Sequence, residues 1–263
     1  MLELMEMEYK KLENLSLIVK KLNSAQLLTQ ENFDQLKKMK KILIIIWMSF
    51  SLTGCLRLED NLYDLSTVEE YKLDNYTGEV DFYLDDSYTI HDSLIQIFTL
   101  ASKTDDESSP TTIYAVYIGD ISRIAADTII MYCHGNKHHM DFYWPRAKLL
   151  ANTGTKNRFG VLMIDYRGFG MSEGDPTEEG LYTDVDAALL WLKNNGLTND
   201  RLVMYGFSLG TAPATKLTAE PRSMVASKLM LEAPFANAET MVQDASGLAM
   251  PGVFVTDLQI NNG

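Results

Sequence analysis

The chain predicts an α/β fold: a mostly parallel sheet with an antiparallel N-terminal edge and flanking helices. Four short, nearly continuous apolar runs alternate with helix-like stretches, the pattern of strands buried on both faces and joined by helical crossovers. Two earlier runs are separated only by a turn-rich segment, which suits an antiparallel pair. The length of 263 residues and a hydrophobic content of 46% are enough to bury one sizeable core.

In chain order, the antiparallel pair is "SLIQIFTLAS" (93–102) and "TTIYAVYIG" (111–119), joined by "KTDDESSP". The buried parallel strands are "TIIMYC" (128–133), "GVLMID" (160–165), "RLVMYG" (201–206) and "KLMLEA" (228–233). Helices are expected over about 144–152, 177–195 and 208–220. The second of these has the clearest period. Leu181, Val185, Ala188, Leu189 and Leu192 recur at spacings of three and four, and Gly196 supplies a C-terminal stop.

The N-terminal third reads differently. From Met39, "MKKILIIIWMSFSLTGC" has a basic start, an apolar segment from Ile42 to about Phe50, and small and polar residues up to Cys55. This is the layout of a secretory signal, and its apolar part falls short of the roughly 20 residues that cross a bilayer. "LTGC" (52–55) resembles a bacterial lipobox, which implies cleavage before Cys55 and a diacylglycerol on its sulfur. The alternative is a buried helix or an uncleaved anchor. Residues 1–38 then form a leader that is expected to precede the true start at Met39. Residues 39–54 are the lipoprotein signal, 55–92 a tether and irregular segment, and 93–263 the α/β domain.

The formal net charge of −13 argues against a nucleic-acid partner, because affinity for phosphate backbones rests on clustered Lys and Arg. Removing the six acids and eight lysines of residues 1–54 leaves 30 acidic and 15 basic residues. A body that acidic is not drawn to an anionic surface by its charge. Of the two cysteines, Cys55 is the lipidation site and Cys133, inside an apolar run, reads as a buried inert thiol.

Two motifs carry the chemistry. Gly206-Phe-Ser-Leu-Gly210 fits G-x-S-x-G between an expected strand and an expected helix. Flanking glycines allow a tight turn that lifts Ser208 clear of the sheet, and the helix N-terminus behind it favours a developing oxyanion. An ordinary turn serine is the alternative, which the strand and helix context disfavours. "CHGNKHH" comes directly after the strand ending at Cys133. His134, His138 and Asp141 also raise a metal reading, but two imidazoles and one carboxylate in a loop, without an HExxH-type helix, support it weakly. No metal or cofactor is expected.

A third block, "DYRGFGMSEGDPTEEGLYTDVDAALLWL" (165–192), completes a resemblance. The HGN, DYRG and G-x-S-x-G-T motifs, in this order and spacing, resemble the ABHD-type, serine-aminopeptidase-like branch of the α/β-hydrolase superfamily. "LEAPFANAET" (231–240) is similar to the segment after the next strand in that branch. The resemblance runs from about Ser93 to the end. It implies an α/β-hydrolase fold, Ser208 as nucleophile, and an oxyanion hole from the backbone N–H groups of Asn136 and Leu209. Such a donor contributes roughly 3 kcal/mol. It also implies that His134, Gly135, Asp165 and Arg167 organise the surrounding loops.

The same resemblance implies an acid and then a histidine on two further strands after Ser208. No histidine comes after Ser208, and neither strand fits into what remains after Asp244, in "GVFVTDLQINNG" with its Asp257. The sequence is therefore expected to lack the last strands of the fold. The function expected is a serine hydrolase of small acyl substrates (carboxylic esters, thioesters or amides), lipid-anchored in the bacterial cell envelope. A catalytically silent hydrolase-fold lipoprotein that binds without reacting is the alternative.

Overall fold

The computed structural model describes Lys10, Lys11, Glu13, Asn14, Ser16 and Leu17, which are helical and exposed, and residues 63–235. The first group belongs to a unit spanning Met1–Leu56 and the second to a unit spanning Arg57–Gly263. The expected signal segment, Cys55, Asp244 and Asp257 lie outside the described residues.

The strands of the second unit are β1 (Asp64–Leu65), β2 (Ile95–Ser102), β3 (Thr111–Ile118), β4 (Ile129–Cys133), β5 (Lys137–His138), β6 (Gly160–Ile164), β7 (Leu202–Phe207) and β8 (Lys228–Glu232). Its α-helices are α1 (Met140–Ala151), α2 (Glu178–Asn194) and α3 (Thr211–Ala219). Six strands form one sheet in the order β2-β3-β6-β4-β7-β8. The β2–β3 and β3–β6 pairs are antiparallel, and the β6–β4, β4–β7 and β7–β8 pairs are parallel. The antiparallel edge and parallel body agree with the expected architecture.

Alternation along the central strands divides the core in two. Ile129, Met131 and Cys133 of β4, with Leu202 and Met204 of β7, pack with Leu181, Val185, Ala188, Leu189 and Leu192 of α2 and with Leu217 of α3. Ile130 and Tyr132, with Val203 and Tyr205, face the opposite cluster, which holds Tyr143, Trp144, Ala147 and Leu150 of α1. Strands covered on both faces must be apolar at every position, hence the continuous runs in the sequence. The α2 helix opens on Thr177, whose hydroxyl accepts from the Gly180 N–H at 3.0 Å, and Gly196 lies just past its end at φ +90°.

Two helix starts differ from expectation. The α1 helix begins at Met140, four residues before the expected start, and carries Pro145 in its interior. Proline removes one intrahelical bond. The turn before it is nonetheless fastened, because Phe142, Tyr143 and Trp144 are buried and the Asp141 carboxylate accepts the N–H groups of Lys72 and Leu73. At the other site, Ser208–Gly210 form a 3-10 turn and the α-helix starts only at Thr211. The Ser208 φ of +49° is incompatible with an ordinary α-helical turn.

Residues 63–92, the described part of the segment 55–92, carry β1 and short 3-10 turns and lie against the core. β1 pairs in parallel with β5, and Thr67 bridges to Gly170. The segment therefore runs beside the two loops that leave β4 and β6.

A buried ion pair fixes the second of those loops. Arg167 donates from Nη2 to Asp184 Oδ1 on α2 at 2.9 Å and from Nη1 to Glu107 at 2.9 Å, while Ser102 donates to Asp184 Oδ1 at 2.6 Å. The Arg167 and Asp184 side chains are 4% and 0% exposed. Asp184→Asn leaves the partly exposed Glu107 as the remaining carboxylate on that buried guanidinium, and a loss of about 2–3 kcal/mol of stability is expected from urea unfolding.

Candidate functional site

The C-terminal ends of β4 and β7 lie side by side, Cys133 in register with Gly206. The chain turns there from β7 into the 3-10 turn with almost no room. A Cβ at Gly206 would stand 2.6 Å from the Gly210 carbonyl oxygen and 2.7 Å from Thr211 Cα. A Cβ at Gly210 would collide with the backbone of Cys133 and His134. Any larger residue forces β4 and the turn apart. Ser208 sits between these glycines at φ +49°, a left-handed conformation costly for a serine, and the Thr211 hydroxyl donates to its carbonyl oxygen at 2.6 Å. Ser208 is partly exposed, whereas Leu209 is buried.

The loop after β4 begins at the same point. His134 is fully buried, stacked on Tyr143 at 4.8 Å between ring centroids and tilted against Tyr166 at 4.5 Å. Its Nδ1 lies 2.7 Å from the Gly135 carbonyl oxygen, and Tyr166 donates to the His134 carbonyl at 2.9 Å. Both contacts hold the peptide that leads into Asn136, which is half-buried. The Nε2 of His134 stands 3.1 Å from Asp165 Oδ1, in contact though not aligned as a hydrogen bond.

Asp165, at the end of β6, is also buried, and its Oδ2 accepts from the Tyr71 hydroxyl at 2.7 Å. Burial and this carboxylate hold the Tyr71 phenol well above its ordinary value. Tyr71 in turn accepts from the Met171 N–H at 2.9 Å. A chain of contacts thus runs from the N-terminal segment through Asp165 to His134 and the loop beside Ser208. Tyr71 was not legible in the sequence: it lies 94 residues from Asp165 in a polar stretch without periodicity. Arg167 belongs to a different cluster, with Asp184 and Glu107.

The remaining histidines have other surroundings. His138, at φ +57°, approaches Glu79 at 3.5 Å, and His91 bonds to Ser93. His139 is drawn into the interior. It is 1% exposed, edge-on to Tyr76 at 5.3 Å and 3.8 Å from Asp141. Its position just before α1 draws it inward with that helix. His134, His138 and Asp141 do not converge, and among the described residues no group of three or more His, Cys, Asp or Glu side chains is placed to hold a metal. Cys133 is a free, buried thiol whose pKa burial pushes well up.

Known proteins are similar to part of this chain. The family model described as "Serine aminopeptidase, S33" matches residues 124–263. Protein ABHD12B of Homo sapiens is 40% identical over 114 residues, covering 41% of this chain and 30% of that protein. The uncharacterised protein YfhR of Escherichia coli O157:H7 is 32% identical over 113 residues, covering 43% of this chain and 38% of that one. The matched part of this chain therefore spans well under half the length of both relatives. An alpha-beta hydrolase from Vibrio vulnificus superposes with a TM-score of 0.49 at 21% identity, over 62% of this chain and 54% of its own.

Burial depresses the His139 pKa below its ordinary 6.5, with His138 and His134 adding to the effect and Asp165 and Asp141 opposing it. A depressed folded-state pKa means that the unfolded chain binds the proton first as pH falls. The stability due to neutral His139 is therefore complete above the unfolded value and is lost progressively below it. Thermal midpoints measured from pH 7.5 to 5 are expected to fall more steeply for the wild type than for His139→Phe.

Proposed function

The chain belongs to the serine aminopeptidase S33 family of α/β-hydrolases, and from that premise we propose that it is built for acyl transfer to Ser208. Its substrates would be carboxylic esters, thioesters or amides of small molecules. The observation that carries the reading is the Ser208 backbone, a left-handed serine held by a glycine-only contact against the end of β4. Strain of this kind persists only where the surroundings impose it, and it projects the hydroxyl away from the sheet.

In this reading the Ser208 oxygen bonds to the substrate carbonyl carbon, and the carbonyl oxygen becomes an oxyanion. The N–H groups of Asn136 and Leu209 receive that charge. Leu209 supports this role by its place in the turn that opens α3, and Asn136 by the His134 and Tyr166 contacts that fix the preceding backbone. Collapse of the intermediate expels the leaving alcohol, thiol or amine and leaves an acyl-enzyme, which water then hydrolyses. His134, Gly135, Asp165 and Arg167 act here as loop-organising residues.

A base must take the Ser208 proton, and this step supports a second reading. All four histidines precede Ser208 in the sequence, and each has a neighbour of its own: Ser93, Asp165, Glu79 or Asp141. A serine without an imidazole partner loses most of its rate. The second reading is a hydrolase-fold module that binds acyl compounds without turning them over.

A fluorophosphonate probe separates the two readings. Covalent labelling of the wild type that disappears in Ser208→Ala is expected for the hydrolase, and a folded, unlabelled wild type supports the binding module. We also propose attachment to the cell envelope through a diacylglycerol on Cys55, on the strength of the "LTGC" sequence. Intact mass of membrane-extracted protein is expected to show a chain starting at Cys55 with the lipid mass added, and Cys55→Ala is expected to lose it.

A further inference from the structure

Phe207 connects the two loops that carry the proposed oxyanion donors. Its backbone immediately precedes Ser208, and its ring lies against the loop after β4, where a Cβ added to Gly135 would meet ring carbons at 3.2 and 3.3 Å. Tyr143 stands edge-on to the same ring at 6.2 Å between centroids, and its hydroxyl accepts from the Lys137 N–H at 3.2 Å. The separation of the two loops therefore depends on where this one ring sits.

Arg146, on α1, holds that ring. Its guanidinium carbon is 4.2 Å from the Phe207 centroid and 5.3 Å from that of Phe82. The guanidinium is itself fastened on three sides. Nε and Nη2 reach Asp81 Oδ2 at 2.7 and 2.6 Å, and Nη1 reaches Glu232 Oε2 at 2.6 Å and the Tyr205 hydroxyl at 3.3 Å. Glu232 is in register with Phe207 across the β7–β8 pair and also accepts from the Tyr205 hydroxyl. The arginine side chain is 11% exposed, so water screens these interactions little. A planar, always-charged fork can bond to two carboxylates in its plane while stacking its face on an aromatic ring, which a lysine ammonium cannot do.

We propose that Arg146 is a positioning residue: through Phe207 it holds the 134–139 loop and the 206–211 turn at the separation that two donors on one oxyanion require. The purpose rests on the acyl-transfer reading above; the mechanical coupling does not. Its signature is that losing the fork loosens both loops together and leaves the far side of the sheet unchanged.

The test is amide hydrogen exchange on the full chain, comparing wild type with Arg146→Lys, alongside the rate of fluorophosphonate modification. Exchange in peptides covering 134–139 and 206–211 is expected to quicken, while peptides covering β2 and β3 keep their wild-type rates. Because a misplacement near 1 Å costs on the order of a hundredfold, the limiting modification rate is expected to fall by about ten- to a hundredfold with little change in half-saturating probe concentration. Should Arg146→Lys fail to fold, Asp81→Asn decides: it releases one side of the fork and is expected to produce the same paired loosening to a lesser degree. Unchanged exchange in either loop, or equal loosening across β2 and β3, overturns the proposal. Paired loosening in a protein whose wild type never reacts with the probe upholds the coupling and removes the nucleophile reading instead.

Discussion

The rest of the site depends on one steric constraint: the turn after β7 packs backbone to backbone on the end of β4. Gly210 lies against the carbonyl groups of Cys133 and His134, and Gly206 against Gly210 and Thr211. This contact sets three things together. It forces Ser208 into a left-handed conformation, starts α3 at Thr211, and places the loop beginning at His134 beside the serine. Because the parallel pairing of β4 with β7 fixes the register beneath, these loops inherit their positions from the sheet.

Above the sheet, polar contacts replace strand pairing. The chain from Tyr71 through Asp165 to His134 ties the N-terminal segment to the loop beside Ser208, and the Arg167 cluster ties the loop after β6 to α2 and β2. Burying such groups costs desolvation that their attraction only partly offsets, so they contribute little net stability and instead make alternative loop positions expensive. This division suits a site that needs fixed backbone donors. The apolar sheet supplies stability, and the buried polar groups supply position.

At the far edge the sheet is less protected. β8 holds only exposed and half-buried residues, with the adjacent Met230 48% and Leu231 40% exposed, and among the described residues its outer edge has no partner strand. An apolar edge with free backbone groups is a template for pairing with another chain. The β7–β8 pair that anchors Glu232 beneath Phe207 therefore includes the edge strand of the described sheet.

The sequence by itself determined the order and kind of elements and the placement of its motifs. Three of the four continuous apolar runs are strands covered on both faces, the fourth, "KLMLEA", expected to be buried, is instead the half-exposed edge strand β8, and the three- and four-residue spacing of Leu181 to Leu192 presents one face of a helix. The G-x-S-x-G motif marked the turn because glycine is the residue that tolerates such crowding. Tertiary structure alone decided what meets what. Nothing in the polar stretch around Tyr71 announces Asp165, nothing in "FYWPR" announces that helix α1 begins as early as Met140, and nothing beside Arg146 announces Glu232, 86 residues away. Local sequence encodes propensity and period, whereas these contacts arise only when distant loops are carried to the same end of the sheet. There the buried charges find one another, because leaving any of them unpaired would cost more than the order they impose.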